Sequence, residues 1–517
     1  MVGITLTLSA SRYSDELALV FGSTRLTYAE LNVRACQLAN ALTDTGIRKG
    51  DRVATPLHNC HQFIEAFFGA AKIGAVFVPI NFRLSKPEID HVLADCTARV
   101  LIYESEFAET LGLLSRTAYF PERLVHVGDL TEDSSGFDAG AEYESWIAGH
   151  PSSEPAIEVA ATDDQLILYS SGTTGHPKGA VWTHANTLHS SVAKIIDLQL
   201  TPRDSTVVFG PLFHAGPLMD LAIPLLQRGG KLVVGASRGF DPARLLAVIE
   251  AEQATAVSIY PTMWKRVLAL NDLDRYNLGS LRLLLTGGEM IPQWLLREIY
   301  ERFPQVPFIN TYGCTEGGAM VSFLAAEDRF AKMGSIGKSA FNVAIKIVDD
   351  HDREATPGTA GELVIRSPFV CRGYWRKPAE TEAAFRGGWW HTGDLAWKDE
   401  EGFLWIAGRK KDLIISGAEN IYPAEIERVI STLEGVAEVA VVGVPDEHWG
   451  EAVAAFVVRK PGEDLDESGV IEHCRQNLAS YKKPRHVFFV DELPRTSVGK
   501  VSKKVLRQRG EAAVLGH

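Results

Sequence analysis

Short apolar runs that stop at polar or glycine-bearing turns, with helical patterns between them, recur down the first three hundred residues. The runs 52–54, 76–80 and 100–103 flank an apolar helical segment at 63–73. A second series at 207–210, 232–235, 257–260, 281–286 and 307–311 is interleaved with helical patterns such as 242–252 and 292–303. Strands joined through helices lie parallel, because the crossover must pack back over the same sheet. This alternation predicts an α/β fold of mostly parallel sheets with helices on their faces. Thr27-Tyr28-Ala29-Glu30 reads as a capping box opening a helix whose core face carries Leu31, Ala35, Leu38 and Leu42, with Gly46 to end it. In such sheets ligands gather outside the carboxyl ends of strands, so the turns that follow the apolar runs are where chemistry is sought.

Past Met333 the texture changes. Segments 344–348 and 362–366, bracketed by turn residues, read as antiparallel strands of a small β-rich subdomain over about 334–408. The remainder, 409–517, reads as a compact α+β domain: helices at 422–433 and 468–478, strands at 439–444, 452–459 and 485–490, and a basic helix at 500–509. The boundary is expected near Arg409, leaving 1–408 as a large N-terminal domain. Residues 132–158, rich in Asp, Ser, Gly and Glu, read as a surface excursion.

The apolar run 166–168 leads into Tyr169-Ser170-Ser171-Gly172-Thr173-Thr174-Gly175-His176-Pro177-Lys178-Gly179. Glycines let the backbone turn its N–H groups inward, and the hydroxyls and the Lys add donors, a device for holding phosphate oxygens. The P-loop of nucleotide triphosphatases requires a hydroxyl residue beside its Lys for magnesium, and Gly179 stands there instead.

The order of hydroxyls followed by Thr-Thr-Gly-x-Pro-Lys-Gly resembles the adenylate-forming superfamily, which includes acyl-CoA synthetases and aryl-CoA ligases. Further stretches extend the resemblance over about residues 25 to 507. Thr311-Tyr312-Gly313-Cys314-Thr315-Glu316 is similar to that family's Tyr-Gly-x-Thr-Glu station, and Thr392-Gly393-Asp394 with Gly408-Arg409 to its Thr-Gly-Asp and Gly-Arg pair. Gly499-Lys500 matches its mobile lysine.

The resemblance implies an ATP site built from Ser170, Ser171, Gly172, Thr173, Thr174, Gly175, Lys178, Gly288, Asn310, Thr311, Tyr312, Gly313, Asp394 and Arg409. In it Tyr312 faces adenine and Asp394 accepts from the ribose. It further implies catalytic roles for Lys500, Thr315, Glu316 and His214, with Glu316 the ligand of the Mg2+ that accompanies ATP. The acyl pocket would comprise His214, Met219, Tyr260, Gly287, Gly313 and Cys314. Lys411 matches the hinge, and Ser416, Gly417, Ala418 and Glu419 the loop that lines the thiol tunnel. Two departures stand out: Ala418 where most relatives have Gly, and Glu289 in a turn that elsewhere carries small residues. No role follows for Glu289.

The implied function is an ATP-dependent acyl-CoA synthetase, activating a carboxylic acid as acyl-AMP with release of pyrophosphate and passing the acyl group to CoA. No carrier-like segment follows Lys500, so CoA is the expected thiol, and Arg475, Lys482, Lys483 and Arg507 are candidates for its phosphates. The small or apolar pocket residues favour a fatty or aromatic acid over a diacid, which would want an Arg. A stand-alone adenylating enzyme that loads a carrier-protein thiol is the alternative, and a non-catalytic nucleotide-binding module a third reading. A net charge of −13 argues against nucleic acid as a partner, since neutralising phosphates requires a basic face. Six scattered cysteines form no CxxC pair, and no apolar run reaches membrane-spanning length, so a cytoplasmic protein is expected, open to homodimer formation.

Overall fold

In the computed structural model, residues 1–115, 119–130, 138–170, 177–289, 291–416, 419–496 and 499–515 are described. They form a large N-terminal and a small C-terminal domain built on four sheets.

The first sheet has nine strands in the order Lys338–Ser339, Ser322–Leu324, Phe308–Tyr312, Leu283–Gly287, Ala256–Ser258, Ser205–Val208, Lys231–Val234, Leu17–Phe21, Thr24–Thr27. Its six central strands are parallel, and antiparallel pairing begins only at the two edges. The second has eight strands. Parallel pairing runs from Asp164–Ser170 through Val76–Pro79, Arg52–Thr55 and Val100–Glu104 to Arg123–Val127 and Ala141–Glu142. The chain after the phosphate-loop segment doubles back as the antiparallel strand Lys178–Thr183, in register Ser170↔Lys178. The sequence suggested no such return, because the Pro177-Lys178-Gly179 step that opens it carries no two-residue hairpin signal of its own.

Helix Tyr28–Asp44 begins with both hydrogen bonds of the expected capping box: Glu30 N–H to Thr27 Oγ1 at 3.2 Å and Thr27 N–H to Glu30 Oε2 at 2.8 Å. Helix His61–Lys72 is buried on every side, its apolar residues filling the core and its Gln62, Glu65 and Lys72 each meeting a partner there. Phe63 and Phe67 meet Phe77 edge to face, and Trp182, Leu19 and Leu232 of the two sheets join the same core. Within it Glu65, 0% exposed, accepts from Arg34 Nε at 2.7 Å and from the Tyr143 hydroxyl at 2.7 Å. A buried carboxylate needs such partners.

Tyr143 corrects the reading of 132–158 as surface excursion. Residues 131–137 lie outside the described residues, but Ala141–Glu142 is a strand of the second sheet and Tyr143–Ala148 a helix with Tyr143 and Ile147 in the core. At six residues the helix is too short for its periodicity to show in sequence.

The third sheet is antiparallel: Ala344–Val348, Gly361–Arg366, Trp389–Lys398 and Phe385–Arg386, with Leu404–Arg409 on Trp389–Lys398. The fourth pairs Val436–Asp446 with Gly450–Arg459 and adds His486–Phe489 in parallel, flanked by Pro423–Ile430, Glu467–Asn477 and the terminal helix Lys503–Leu515. That helix begins three residues later than expected, because Arg495 and Val501 first pair across a tight return that carries Lys500.

Candidate active site

A cavity of about 1060 Å³ opens where the carboxyl ends of the first sheet's parallel strands face the antiparallel third sheet and the return around Lys500. Residues from most of the segments singled out in the sequence line it: Ser170 and Lys178, His214, Tyr260, Gly287 and Gly288, Thr311 and Gly313 to Glu316, Asp394, Arg409, Lys411 and Lys500.

Glu316 is held at several points. Its Oε1 accepts from the Ser170 hydroxyl at 2.9 Å and from the Tyr374 hydroxyl at 3.1 Å, and its backbone carbonyl accepts from Cys371 N–H at 2.8 Å. Trp182 Nε1 donates to the Thr315 carbonyl at 3.1 Å. Among the described residues no Lys or Arg stands within ion-pairing distance of Glu316. A carboxylate whose described side-chain partners are neutral hydroxyls keeps its charge free for a hard cation, so it fits Mg2+. The Lys178 ammonium lies 5.4 Å from the Tyr374 ring centre, beside the same group.

The turn after Phe308–Tyr312 depends on a missing side chain. A Cβ on Gly313 would fall 1.1 Å from the Ala319 carbonyl oxygen, because the loop closes on itself through Ala319 N–H to Cys314 O at 3.1 Å and Val321 N–H to Tyr312 O at 2.9 Å. Gly288 has φ +85, a conformation that side chains rarely tolerate. Tyr312 and Asn310 are not among the lining residues. The Tyr312 hydroxyl donates to Asp394 Oδ2 at 2.6 Å, and the Asn310 amide donates to Ser335 O at 3.3 Å. Asp394 Oδ1 also faces Arg409 Nε at 3.3 Å.

His214 sits against Phe213, ring centres 4.2 Å apart, and its buried Nε2 has no hydrogen-bond partner among the described residues. Burial, followed by the positive charges of Lys500 and Arg83, pushes its pKa down to about 3, so the ring is neutral at pH 7. Around Lys500 burial lowers the ammonium pKa and Arg409 lowers it further, while Asp394, Cys314 and Glu316 act the other way.

Met219 corrects the expected acyl pocket. It is packed at 0% exposure in the main core, and Asp220 lines the cavity in its place. Residues Pro217–Ala222 form a wide π-helical turn that rotates the usual facing of the segment. The charged lining is also richer than the sequence implied, because Arg83, Asp220 and Arg266 all contribute. A charged residue inside the apolar run Leu218-Met219-Asp220-Leu221 was the one available signal; nothing local marked the other two.

Several of the expected residues lie outside this cavity or outside the described residues. Ser171, Gly172, Thr173, Thr174, Gly175, Gly417 and Ala418 are not described. Ser416 and Glu419 pair with each other across a hairpin and are absent from the lining. Of the basic residues considered for CoA, Lys482 is bound by Glu425 at 2.8 Å and Arg475 by Glu472 at 2.7 Å.

The comparisons with known proteins agree with one another. The family model described as AMP-binding enzyme matches residues 6–375, and that of the AMP-binding enzyme C-terminal domain matches 425–500. The chain is 38% identical to a feruloyl-CoA synthase of Amycolatopsis sp, over 95% of both chains. It is 38% identical to the long-chain-fatty-acid–CoA ligase FadD13 of Mycobacterium tuberculosis, over 95% of this chain and 94% of that one. A crystal structure of the anthranilate CoA ligase AuaEII with anthranoyl-AMP superimposes with a TM-score of 0.90 at 29% identity, covering 99% of this chain and 98% of the other.

Proposed function

The chain belongs to the AMP-binding enzyme family, and from that premise we propose that it is an ATP-dependent, AMP-forming acyl-CoA synthetase acting on a fatty or aromatic acid. A carboxylate is a poor electrophile. In the first step its oxygen attacks the α-phosphorus of ATP, the bond to the pyrophosphate oxygen breaks, and the acid becomes a mixed anhydride with AMP. In the second step the CoA sulfur attacks the acyl carbon, giving up its proton, and AMP leaves with the electron pair of the broken acyl–oxygen bond.

The observation that supports this reading most is convergence. Lys500, Thr315, Glu316, Asp394, Arg409 and His214, drawn from five separate segments, share one cavity. Lys500 and Thr315 face the charge that grows on the transferring phosphoryl group, where preorganised donors act most strongly. Asp394, with Arg409 beside it, receives the ribose hydroxyls. Ser170, Lys178 and the undescribed loop 171–175 receive the departing pyrophosphate. Glu316 would hold the Mg2+ that comes with ATP, which supplies charge neutralisation at the phosphates. Neutral His214 borders the substrate carboxylate without competing for its charge.

The second step calls for a different arrangement. The chain divides near Arg409, and the small domain turns about Lys411, withdrawing Lys500 and bringing the 416–419 loop to the cavity. The present position of Ser416 and Glu419 away from the lining fits the first step. No described helix is long and apolar enough to cross a membrane. All six cysteines are unpaired and five are buried, which supports a reducing cytoplasm.

The test is a panel of acids varied in chain length, ring content and polar substituents, assayed for acid-dependent pyrophosphate release and CoA-dependent AMP release. An acyl-CoA synthetase shows both. Pyrophosphate release indifferent to CoA would point to a carrier-protein thiol, and release with no acid would end the reading.

A further inference from the structure

Glu289 lies on the cavity rim in the turn after Leu283–Gly287, and the mechanism above gives it nothing to do. Its partner is Arg495 of the small domain, Nη1 to Oε2 at 3.4 Å. The same guanidinium donates to the Gly499 carbonyl at 2.9 Å and, through Nη2, to Glu438 at 2.8 Å. Gly499 immediately precedes Lys500. The return is closed by Gly499 N–H to Thr496 O at 2.8 Å and Thr496 N–H to Lys500 O at 2.7 Å, so Arg495 grips the segment that carries the lysine. Glu438 in turn accepts from Lys265 of the large domain at 2.7 Å. Trp294 lies between Lys265 and Lys460, at 5.7 and 5.4 Å from their ammonium groups.

Charges therefore alternate across the boundary: Lys265, Glu438, Arg495, Glu289. Two of the pairs, Lys265–Glu438 and Arg495–Glu289, join one domain to the other. The Arg495–Glu438 pair lies inside the small domain and presets the fork. Any rotation that withdraws Lys500 must break both interdomain pairs while leaving the internal one intact.

We propose that Glu289 and Arg495 are positioning residues for the first half-reaction: the Glu289–Arg495 pair, backed by Lys265–Glu438, holds the small domain where Lys500 faces the cavity. This rests on the proposed role of Lys500. It also accounts for an acidic residue in a turn where small ones would serve. Exposed ion pairs are individually weak, but a network that fixes one arrangement against another acts on the population of that arrangement.

The experiment measures the two half-reactions separately on the full chain. Acid-dependent exchange of labelled pyrophosphate into ATP reports the first, and thioester formation from supplied acyl-adenylate and CoA reports the second. Glu289→Gln and Arg495→Gln are expected to lower kcat of the first about tenfold, with the KM for ATP held within about twofold, since a misplaced Lys500 costs rate and not nucleotide binding. The second step should stay within about twofold or rise, because the competing arrangement is released. Glu289→Asp should recover part of the loss, and added salt should slow the first step of the wild type more than that of Glu289→Gln. Equal loss of both half-reactions, loss confined to the KM for ATP, or no change would overturn the proposal while an active wild type leaves the enzyme assignment standing. A wild type inert in both steps would overturn the two together.

Discussion

Asp394→Asn isolates the ribose contact. Asp394 is 16% exposed, accepts from the Tyr312 hydroxyl at 2.6 Å and faces Arg409 at 3.3 Å. Asparagine keeps the shape, and its carbonyl oxygen still serves Tyr312, so the fold is undisturbed. What disappears is one negative charge and, with it, the acceptor that faces Arg409. A hydrogen bond to a charged acceptor contributes about 1 kcal/mol more than a neutral one, and two ribose hydroxyls are at stake, giving a loss of about 2 kcal/mol. At about 1.4 kcal/mol per factor of ten, the KM for ATP should rise about 30-fold. The ribose contacts are the same in ground and transition states, so kcat should change by less than about threefold.

The assay is initial-rate pyrophosphate release against ATP concentration at saturating acid, run in parallel with 2′- and 3′-deoxy ATP. The wild type should lose affinity for each deoxy analogue, and Asp394→Asn should lose much less on the same substitution, the coupling expected when two changes remove one interaction. An unchanged KM for ATP with a collapsed kcat would show that Asp394 acts on the reacting atoms through Arg409 and Lys500 and does not read the ribose.

Lys500→Ala should reduce acid-dependent pyrophosphate release about 10²- to 10³-fold while leaving thioester formation from supplied acyl-adenylate within a few fold, the cost of one missing donor at developing charge; for the wild type, burial and Arg409 lower the Lys500 pKa, so the first step should fall as pH rises through a midpoint below the ordinary lysine value of about 10.4, and Arg409→Gln should move that limb upward. His214, with its pKa pushed down to about 3, stays neutral in the fold while the unfolded chain takes up its proton below about 6.5; its contribution is complete above that pH and is lost as pH falls toward 3, so thermal melts of His214→Gln should show a weaker acid dependence over that window. Gly313→Ala drives a methyl to 1.1 Å from the Ala319 oxygen, and both the yield of folded protein and its melting temperature should drop, whereas a variant that melts like wild type would mean the 313–319 loop has room the structure does not show.

What could be read in the sequence, and what could not, divides by range. Segments whose identity is set by their own residues came through: the helix at 242–252 begins and ends where its Pro and its periodicity put it, and the Thr27–Glu30 box forms both of its bonds. The stations that carry the chemistry were legible for the same reason. Thr315-Glu316 and Lys500 each sit in a turn, and Asp394 within the strand Trp389–Lys398, all in stretches whose local order is distinctive, so their meeting in one cavity follows once the strands pair. Residues that shape the cavity through distant contacts were silent. Arg83 reaches it from the turn after Val76–Pro79, and Asp220 takes the place expected of Met219 only because the chain widens into a π turn at Pro217. Glu289 belongs with them. Alone in its turn it is an odd substitution, and it gains a physical reason only when a guanidinium 206 residues away is brought to 3.4 Å. The chemistry of such a chain is thus written locally, whereas substrate choice and domain poise depend on the assembled surface, and that is where substitutions should change which acid is taken, or which half-reaction is favoured, without abolishing activation itself.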